Sequence, residues 1–248
     1  MAMVEFGGFG QFKKALNSRE FWNSLRATAE FSIPVVFFHV VLGLLLAVIL
    51  NWKIPFRSAL RTVFFVPYVV SMVVVAMIWR FLLSPGIGLV NVFLHLFGFD
   101  RNTGWLTNPK YTMAAVIMVA VWKWVGYHMV IYLAALQNIP GTLYEAADIE
   151  GAGAGQKFFR ITFPLLAPTT WFLVIISVIN TFQAFDQIFL MTKGGPMYKT
   201  DVIVFYIYRN AFTYYDMPYA SAVSWLLFVV IFVVTYIQNK LSVTDWNY

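Results

Sequence analysis

The stretch LYEAADIEGAGAGQKFFRITFPLLAP, residues Leu143 to Pro168, decides how the rest of the chain is interpreted. It holds three acidic and two basic side chains between long apolar runs, in a chain where only 11% of the residues are charged. Charged side chains are too costly to leave facing lipid. The stretch is therefore predicted to meet water, or a partner protein, between two membrane-crossing segments.

The composition predicts an integral membrane protein. Hydrophobic residues make up 60% of the chain and the mean hydropathy is +0.73, whereas soluble domains carry about 25% charged residues. The length suits one helix bundle. The absence of cysteine excludes disulfides and thiolate metal sites, and the net charge of +6 is too dispersed to predict a nucleic-acid partner. The first residues lack the basic-then-apolar pattern of a cleavable signal peptide.

Five apolar stretches approach or exceed the roughly 20 residues that a spanning helix needs. The predicted fold is therefore an all-α polytopic membrane helix bundle. Five spans place the two termini on opposite sides, but the counts of Lys and Arg in the connecting loops conflict and leave the orientation open. The predicted spans are Phe31–Trp52, Thr62–Trp79 with a kink at Pro67, Tyr111–Gln137, Leu165–Met191 and Met217–Asn239.

The polar regions between and before these spans are predicted to stay out of the lipid. Residues 1–30 are predicted to form an interfacial segment, with an ordinary solvated helix as the alternative. Residues 84–110 are predicted to be a loop that carries one half-buried helix, because Pro, Gly and Asn divide their apolar pieces. Residues 192–216 are predicted to be a second loop on the same side.

Six positions of the charged stretch match the pattern EAA-x3-G-x9-I-x-L-P, with Phe163 in place of the Leu. Six anchored positions at fixed spacing make a specific signal, and the pattern resembles the EAA loop of permease subunits of ABC importers. The segments VVLGLLLAVIL, LAALQNIPGTLYEAADIEGAG and TFQAFDQIFLMTKGGP also resemble the carbohydrate-type permeases of the maltose and glycerol-phosphate group, and this resemblance runs from about Phe12 to the end. The matching positions are Glu145, Ala146, Ala147, Gly151, Ile161 and Pro164.

This resemblance implies a type I ABC importer permease whose EAA loop, residues 138–164, faces the cytoplasm of a bacterial or archaeal cell. Residues 31–248 would form the transmembrane domain, and residues 1–30 would lie on the extracytoplasmic side. The implied partners are two ATPase subunits that hydrolyse the ATP, a second permease that is a homologue, an extracytoplasmic substrate-binding protein and membrane lipid. Members of the group usually have six spans, so the usual first helix is expected to be absent here, either because the chain is a shortened form or because that helix precedes residue 1.

The residue types of the EAA loop suit a docking element. Ala146 and Ala147 form helix with little bulk, so a partner can approach closely. Glu145 is expected near the start of a helix, where the macrodipole favours a negative charge. Gly151 allows a turn between two short helices, and Pro164 is expected in the first turn of the fourth span. The glycines do not form a nucleotide loop, because the segment lacks a G-x-x-x-x-G-K-S/T pattern.

Ionisable residues within spans indicate a functional interior, and two are found here, Lys123 and Asp186. Lys123 and Tyr127 are spaced i, i+4, while Asn180, Gln183 and Gln187 share one face of the predicted fourth span. Amide side chains with an aromatic ring suit hydrogen bonding to sugar hydroxyls and stacking on a sugar face. The alternative is that the amides only join helices. Direct pairing of Lys123 with Asp186 is a further alternative.

In the maltose-type relatives, positions near Tyr127 and those matching 180–184 line the sugar site. The polar residues of the spans and this resemblance together predict a solute path with six candidate residues: Lys123, Tyr127, Asn180, Thr181, Gln183 and Asp186. The resemblance also suggests that TKGGP, residues 192–196, receives the substrate-binding protein, with a plain surface turn as the alternative.

The competing functions find less support. A secondary transporter or channel would need coupling-ion groups or an inverted repeat. A membrane-embedded enzyme would need a catalytic constellation, and neither a Ser/His/Asp arrangement nor paired carboxylates are evident. His39, His95 and His128 show no ligand spacing, so no metal or cofactor is predicted.

Overall fold

The computed structural model describes residues 9–52 and 54–242, which form helices joined by short connections. Two π-helical turns, Phe158–Thr162 and Arg209–Thr213, continue neighbouring helices. The α-helices are α1 (Gly10–Leu16), α2 (Arg19–Asn51), α3 (Arg57–Val69), α4 (Met72–Leu82), α5 (Leu89–His95), α6 (Thr112–Gln137), α7 (Gly141–Ile149), α8 (Ala154–Lys157), α9 (Phe163–Leu165), α10 (Ala167–Phe182), α11 (Asp186–Met191), α12 (Ile203–Tyr208) and α13 (Met217–Ser242).

Three of these helices, α2, α6 and α13, are each long and apolar enough to cross a membrane. Two bent pairs meet the same test jointly: α3 with α4, bent by 99°, and residues 154–165 with α10, bent by 59°. If each bent pair is one span, the total is five, as the sequence predicts. The structure differs from the prediction in where three of these spans begin, bend or end.

The first span is longer than predicted. Helix α2 begins at Arg19, after Ser18 accepts a hydrogen bond from the Phe21 amide at 3.3 Å, and it continues for 33 residues. The boundary predicted at residue 30 therefore lies inside one continuous helix. The charges of the first turns do not end the helix, because Arg26 and Glu30 pair at 2.7 Å on its exposed face. Residues 1–8 of the predicted interfacial segment lie outside the described residues.

The second span is broken rather than kinked. Pro67 stays inside α3, and the helix ends two residues later, so that α4 leaves at 99°. Proline removes one backbone donor and crowds the preceding turn, which weakens the helix there. The break itself lies at Val70 and Ser71. The kink predicted at Pro67 is therefore a break that lies three residues later, with a bend of 99°.

The fourth span is also divided. Helix α10 begins at Ala167 and ends at Phe182, and α11 starts again at Asp186. Pro164 lies in the three-residue helix α9 and not in the first turn of the span, because a π-helical turn and a 59° bend come before α10. The predicted single helix from Leu165 to Met191 is therefore wrong.

The long helices pack around α6. Gly43 brings α2 so close to α6 that a Cβ built on it would lie 2.6 Å from the His128 Cβ. Small residues at such crossings allow tight helix packing in membranes. One buried apolar cluster joins α2, α6 and the start of α10 through Ala47, Leu50, Met129, Tyr132, Leu133, Leu136, Leu166 and Leu173.

The helix expected within residues 84–110 is α5. Asn91 holds it in place, since its amide donates to the carbonyls of Ser84 at 3.1 Å and Thr103 at 3.0 Å. The same side chain accepts a hydrogen bond from the indole of Trp105 at 2.6 Å.

Candidate functional site

A cavity of about 250 Å³ lies where α2, α4, α6, α10 and α11 meet. Four of the six residues predicted for the solute path line it, namely Asn180, Thr181, Gln183 and Asp186. The remaining lining residues are Phe31, Val35, His39, Met72, Ala120, Trp124, His128, Ser177, Ala184, Phe185 and Gln187. Apolar walls with a few polar groups are typical of a small-molecule site.

The interruption between α10 and α11 gathers the polar residues at this cavity. The amides of Gln183 and Ala184 still bond back to Ile179 and Thr181, both at 3.3 Å, before the chain turns into α11. Asn180 and Gln187 therefore line one cavity across a break and do not share one straight helix face. The predicted helical spacing of these residues was wrong, although the predicted grouping is observed.

Hydrogen bonds connect three helices beside the cavity. The hydroxyls of Ser32 on α2 and Thr181 on α10 lie 2.5 Å apart, and Thr181 also donates to the Ser177 carbonyl at 2.8 Å. Ser177 Oγ lies 2.7 Å from Nε2 of His128 on α6. These buried groups fix the relative positions of α2, α6 and α10.

A stacked pair of histidines forms part of the cavity wall, and sequence reasoning missed it. The rings of His39 and His128 are 4.5 Å apart at an interplanar angle of 30°. Their separation in sequence hides the pair. Gly43 was the available signal, because a glycine one turn after His39 permits the close helix crossing at His128.

The Lys123 side chain does not line the cavity and instead reaches the carboxyl end of α3, in the broken second span. Its ammonium group donates hydrogen bonds to three carbonyls, those of Pro67 at 3.3 Å, Tyr68 at 3.1 Å and Val70 at 2.7 Å. The side chain is buried, and among the described residues its ammonium group contacts these carbonyls and forms no salt bridge with Asp186, so the alternative in which the two pair does not hold in this structure. The last carbonyls of a helix have no partner within it, and a cation is favoured there. Lys123 therefore caps the carboxyl end of α3.

Tyr127 packs beside the same break. Its ring stacks on Tyr68 at 5.0 Å and meets Trp124 edge-on at 6.1 Å. Trp124 is the member of this aromatic group that lines the cavity. Tyr127 itself does not line the cavity, although it packs against Trp124 and directly precedes His128, which both do.

The EAA loop folds into two short helices. Glu145, Ala146 and Ala147 lie in α7, with the first two exposed and Ala147 buried. The helix begins at Gly141, so Glu145 lies in its second turn and not at its start. The predicted macrodipole role of Glu145 was therefore wrong.

Gly151 makes the turn between these helices, as predicted from its sequence. Its φ is +74°, a value that glycine adopts most readily, and the Ala152 amide bonds back to the Ala147 carbonyl at 2.9 Å. An ion pair between Lys157 and Asp148 holds α8 against α7.

Apolar side chains project from the same loop. Ile149 is 89% exposed and Phe159 is 70% exposed, while Ile161 in the π-helical turn is half-buried. Tyr144 and Thr162 bond through their hydroxyls at 2.9 Å, which ties α7 to the residues that lead into α9. The loop thus combines an ordered backbone with an uncovered apolar surface.

The loop after α11 contains a buried ion pair. Asp201 is 1% exposed and accepts a hydrogen bond from Arg209 at 2.9 Å. Burial raises the pKa of Asp201 to about 6, against the opposing effect of the Arg209 charge, while Glu20 raises it further. Thr200 bonds to the Gly195 carbonyl at 2.7 Å and holds the TKGGP segment.

Residues 39–243 match the family described as the binding-protein-dependent transport system inner membrane component. The chain is 33% identical to the sn-glycerol-3-phosphate transport system permease protein UgpA of Pectobacterium atrosepticum, over 98% of this chain and 82% of that protein. It is 34% identical to the lactose transport system permease protein LacF of Rhizobium radiobacter, over 95% of this chain and 80% of that protein.

A solved structure gives the same result. The crystal structure of a bacterial alginate ABC transporter in complex with an alginate pentasaccharide-bound periplasmic protein contains a chain that superimposes with a TM-score of 0.87 at 32% identity, covering 95% of this chain and 83% of that one. The helical bundle as a whole thus matches a known class of importer subunit. The chain belongs to the family of binding-protein-dependent transport system inner membrane components, the permease subunits of ABC importers.

Proposed function

We propose that this permease forms the translocation path for a sugar or a sugar-derived solute and receives its driving force from a separate ATPase through the EAA loop. The cavity beside α10 and α11 is the proposed solute site, because amide and hydroxyl groups meet an aromatic side chain there. The names of the relatives, which refer to lactose, glycerol 3-phosphate and alginate, support this solute class.

The observation that carries the coupling role is the uncovered apolar surface of the EAA loop. Ile149 and Phe159 are among the most exposed large apolar side chains of the described residues, yet hydrogen bonds and an ion pair order the backbone that presents them. An ordered apolar surface of this kind is typical of a docking site. In the proposed complex Glu145, Ala146, Ala147 and Gly151 form the docking helix and its turn, and Ile161 and Pro164 lead back to the membrane.

The proposed orientation places the EAA loop in the cytoplasm and the loops at 84–110 and 192–216 on the extracytoplasmic side. The periplasmic protein in the alginate transporter complex supports a substrate-binding protein as the extracytoplasmic partner. Two ATPase subunits and a second, homologous permease would complete the importer in a bacterial or archaeal cell membrane. ATP hydrolysis then takes place on those ATPase subunits.

Copurification with an ATPase tests this proposal directly. The chain is expressed together with a candidate partner permease, ATPase and binding protein from the same organism, and ATP-dependent uptake into proteoliposomes is measured for lactose, maltose, sn-glycerol 3-phosphate and alginate oligosaccharides. Wild-type protein should retain the ATPase on purification, and Gly151→Pro should abolish uptake while the membrane domain still folds. A chain that never retains an ATPase and tolerates Gly151→Pro would refute the coupling role.

Two path substitutions test the solute site. Gln183→Ala removes an amide from the cavity wall, and Tyr127→Ala removes the ring that supports Trp124. Both substitutions should raise the half-saturation constant for whichever of the four test solutes the wild-type importer takes up. Uptake with an unchanged constant in both variants would exclude this cavity as the site, and uptake without ATP would favour the alternative of a secondary transporter.

A further inference from the structure

Of the described residues that line the cavity, Asp186 is the one with an acidic side chain. It is the first residue of α11 and it is exposed. Its carboxylate forms neither a hydrogen bond nor a salt bridge with any described residue. An exposed aspartate is ionised at neutral pH. The lining of the cavity therefore carries a negative charge.

No basic side chain of the described residues balances this charge at the lining, which contains neither Lys nor Arg. Lys123 donates its hydrogen bonds to the carboxyl end of α3, and Arg80 reaches α11 only at the Leu190 carbonyl, at 3.2 Å. His39 and His128 do line the cavity, but both are at most 3% exposed and their rings stack at 4.5 Å. A charge buried without a counter-ion is strongly unfavourable, so both imidazoles are neutral. The carboxylate alone sets the sign of the charge.

The other exposed polar groups of the lining are neutral amides. Asn180 and Gln183 line the cavity, and their amide groups have no partner among the described residues. An amide donates and accepts, whereas an ionised carboxylate only accepts. A sugar hydroxyl can therefore donate to any of the three side chains, and its bond to the carboxylate is the stronger, charge-assisted kind. A phosphate or carboxylate group of a solute would instead be repelled by Asp186.

We propose that Asp186 excludes anionic solutes from this cavity, and that the transported solute is an uncharged, hydroxyl-rich sugar. The inference rests on the proposed function, since it narrows the solute class of the same cavity. A like charge discriminates between two solutes even where they have the same shape. Among the four test solutes, Asp186 selects lactose and maltose against sn-glycerol 3-phosphate and the acidic alginate oligosaccharides.

The charge at the lining can be measured without knowing the solute, because the chain contains no cysteine. Gln183→Cys places one thiol in this chain, three residues before Asp186. The assembled importer in detergent is treated with a cationic (trimethylammonium-ethyl) or an anionic (sulfonatoethyl) methanethiosulfonate, and mass spectrometry of this chain gives each reaction rate. Because the carboxylate attracts one reagent and repels the other, Asp186→Asn should lower the ratio of the cationic to the anionic rate roughly tenfold. Asp186→Glu, which keeps the charge, should keep the ratio.

Asn17→Cys is the control position. Asn17 is exposed and lies just before α2, roughly 20 Å along the helix direction from Phe31 of the lining. This distance exceeds the Debye length of about 8 Å at physiological ionic strength, so Asp186→Asn should leave the rate ratio there unchanged. If Asp186→Asn fails to assemble, Asp186→Ser removes the same charge.

Uptake by the complete importer in proteoliposomes tests the solute class with pairs of related solutes. Lactose is compared with lactobionate and maltose with maltobionate, since in each anion the reducing end is oxidised to a carboxylate. Wild-type protein should take up a neutral sugar and exclude its anionic partner. Faster uptake of sn-glycerol 3-phosphate or alginate oligosaccharides than of the neutral sugars would overturn the proposal. An unchanged rate ratio in Asp186→Asn would also overturn it, as would a failure of Gln183→Cys to react with either reagent.

The two proposals fail in different ways. Failure of the importer function would appear in wild-type protein, as uptake that does not depend on ATP. Failure of the Asp186 assignment would leave ATP-dependent uptake intact, with an anion as the preferred solute or a rate ratio that does not respond to the charge.

Discussion

The backbone of Gly126 in α6 lies against the carbonyl group of Phe64 in α3. A Cβ built on Gly126 would overlap the Phe64 carbonyl oxygen and come within 2.9 Å of the Phe65 Cα. Lys123, three residues earlier on α6, caps the end of the same α3 helix. A glycine and a lysine one turn apart therefore hold the broken span against the central helix.

Gly126→Ala should destabilise the protein, because the added methyl group forces two backbones apart. Overpacking of this kind is unfavourable by about 1–3 kcal/mol. The thermal unfolding midpoint of the purified protein in detergent measures the effect. Gly10→Ala is the control, since a Cβ there has no atom within 4 Å. Equal midpoints for the two variants would contradict the close contact.

Lys123→Met should destabilise the break between α3 and α4. Three carbonyls would lose their donor, and an unpaired buried group is unfavourable by about 1–3 kcal/mol. Lys123→Arg keeps donors and should retain part of the stability. Unfolding by titration with sodium dodecyl sulfate gives the difference. If Lys123→Met were as stable as wild type and changed only KM, Lys123 would be a solute ligand and not a helix cap.

The free energy of unfolding should fall as pH rises from about 4 to about 6, because of Asp201. Its pKa is about 6 in the folded protein against 3.8 for the free side chain, so over this range the folded state binds more protons than the unfolded state. The stabilising contribution of Asp201 is fully present below its pKa in the unfolded chain, and it is lost as pH rises through its pKa in the folded protein. The shift corresponds to about 3 kcal/mol. The free energy of unfolding of wild type, measured against pH, should show this fall, and Asp201→Asn should not.

Asp216 provides the opposite control. Its pKa is lowered, mainly by the hydrogen bond from Lys14 at 2.8 Å, so its stabilising term is present at neutral pH and is lost as pH falls through the lowered value. Asp216→Asn should therefore change the acid limb of the curve and leave the fall due to Asp201 in place. A profile of wild type that is flat between pH 4 and 6 would contradict the buried state of Asp201.

Gly151→Val should uncouple transport while Gly153→Val should not. The φ of +74° at Gly151 is strongly unfavourable for a β-branched residue, whereas Gly153, at φ −68°, has a conformation open to any side chain. Neither glycine has an atom within 4 Å of an added Cβ, so backbone strain alone distinguishes the two variants. ATP-dependent uptake should fall about tenfold or more in Gly151→Val, as expected for strain of about 1.4 kcal/mol or more. Equal uptake in both variants would argue against a role for this turn.

Much of the fold followed from the sequence because lipid imposes strong local rules. Apolar length alone predicts the five spans, which are observed if each bent pair is counted as one, and the spacing of the charged stretch predicts the turn observed at Gly151. The errors lie where a distant residue changes a local preference. Nothing in the run FFVPYVVSMVVV shows that the ammonium group of Lys123 will satisfy the carbonyls of a 99° break.

The candidate site was predictable in composition but not in geometry. Asn180, Thr181, Gln183 and Asp186 were named because polar residues are unusual within spans, and they do line one cavity. The interruption at residues 183–185 was missed, since no proline or glycine marks it. His39 and His128 were set aside for lack of ligand spacing, a criterion that does not detect a contact between two different helices.

The hydrogen bond between His128 and Ser177 has a mechanical consequence. It joins α6 and α10 about 15 Å from the ends at which both helices enter the EAA loop, given a rise of 1.5 Å per residue. Tyr132 donates a hydrogen bond to Thr170 at 3.1 Å nearer that loop, so that two hydrogen bonds at different heights connect α6 and α10. We therefore expect a displacement of the EAA loop at Gly151 to move α6 and α10 together and to shift the part of the cavity wall formed by His39 and His128.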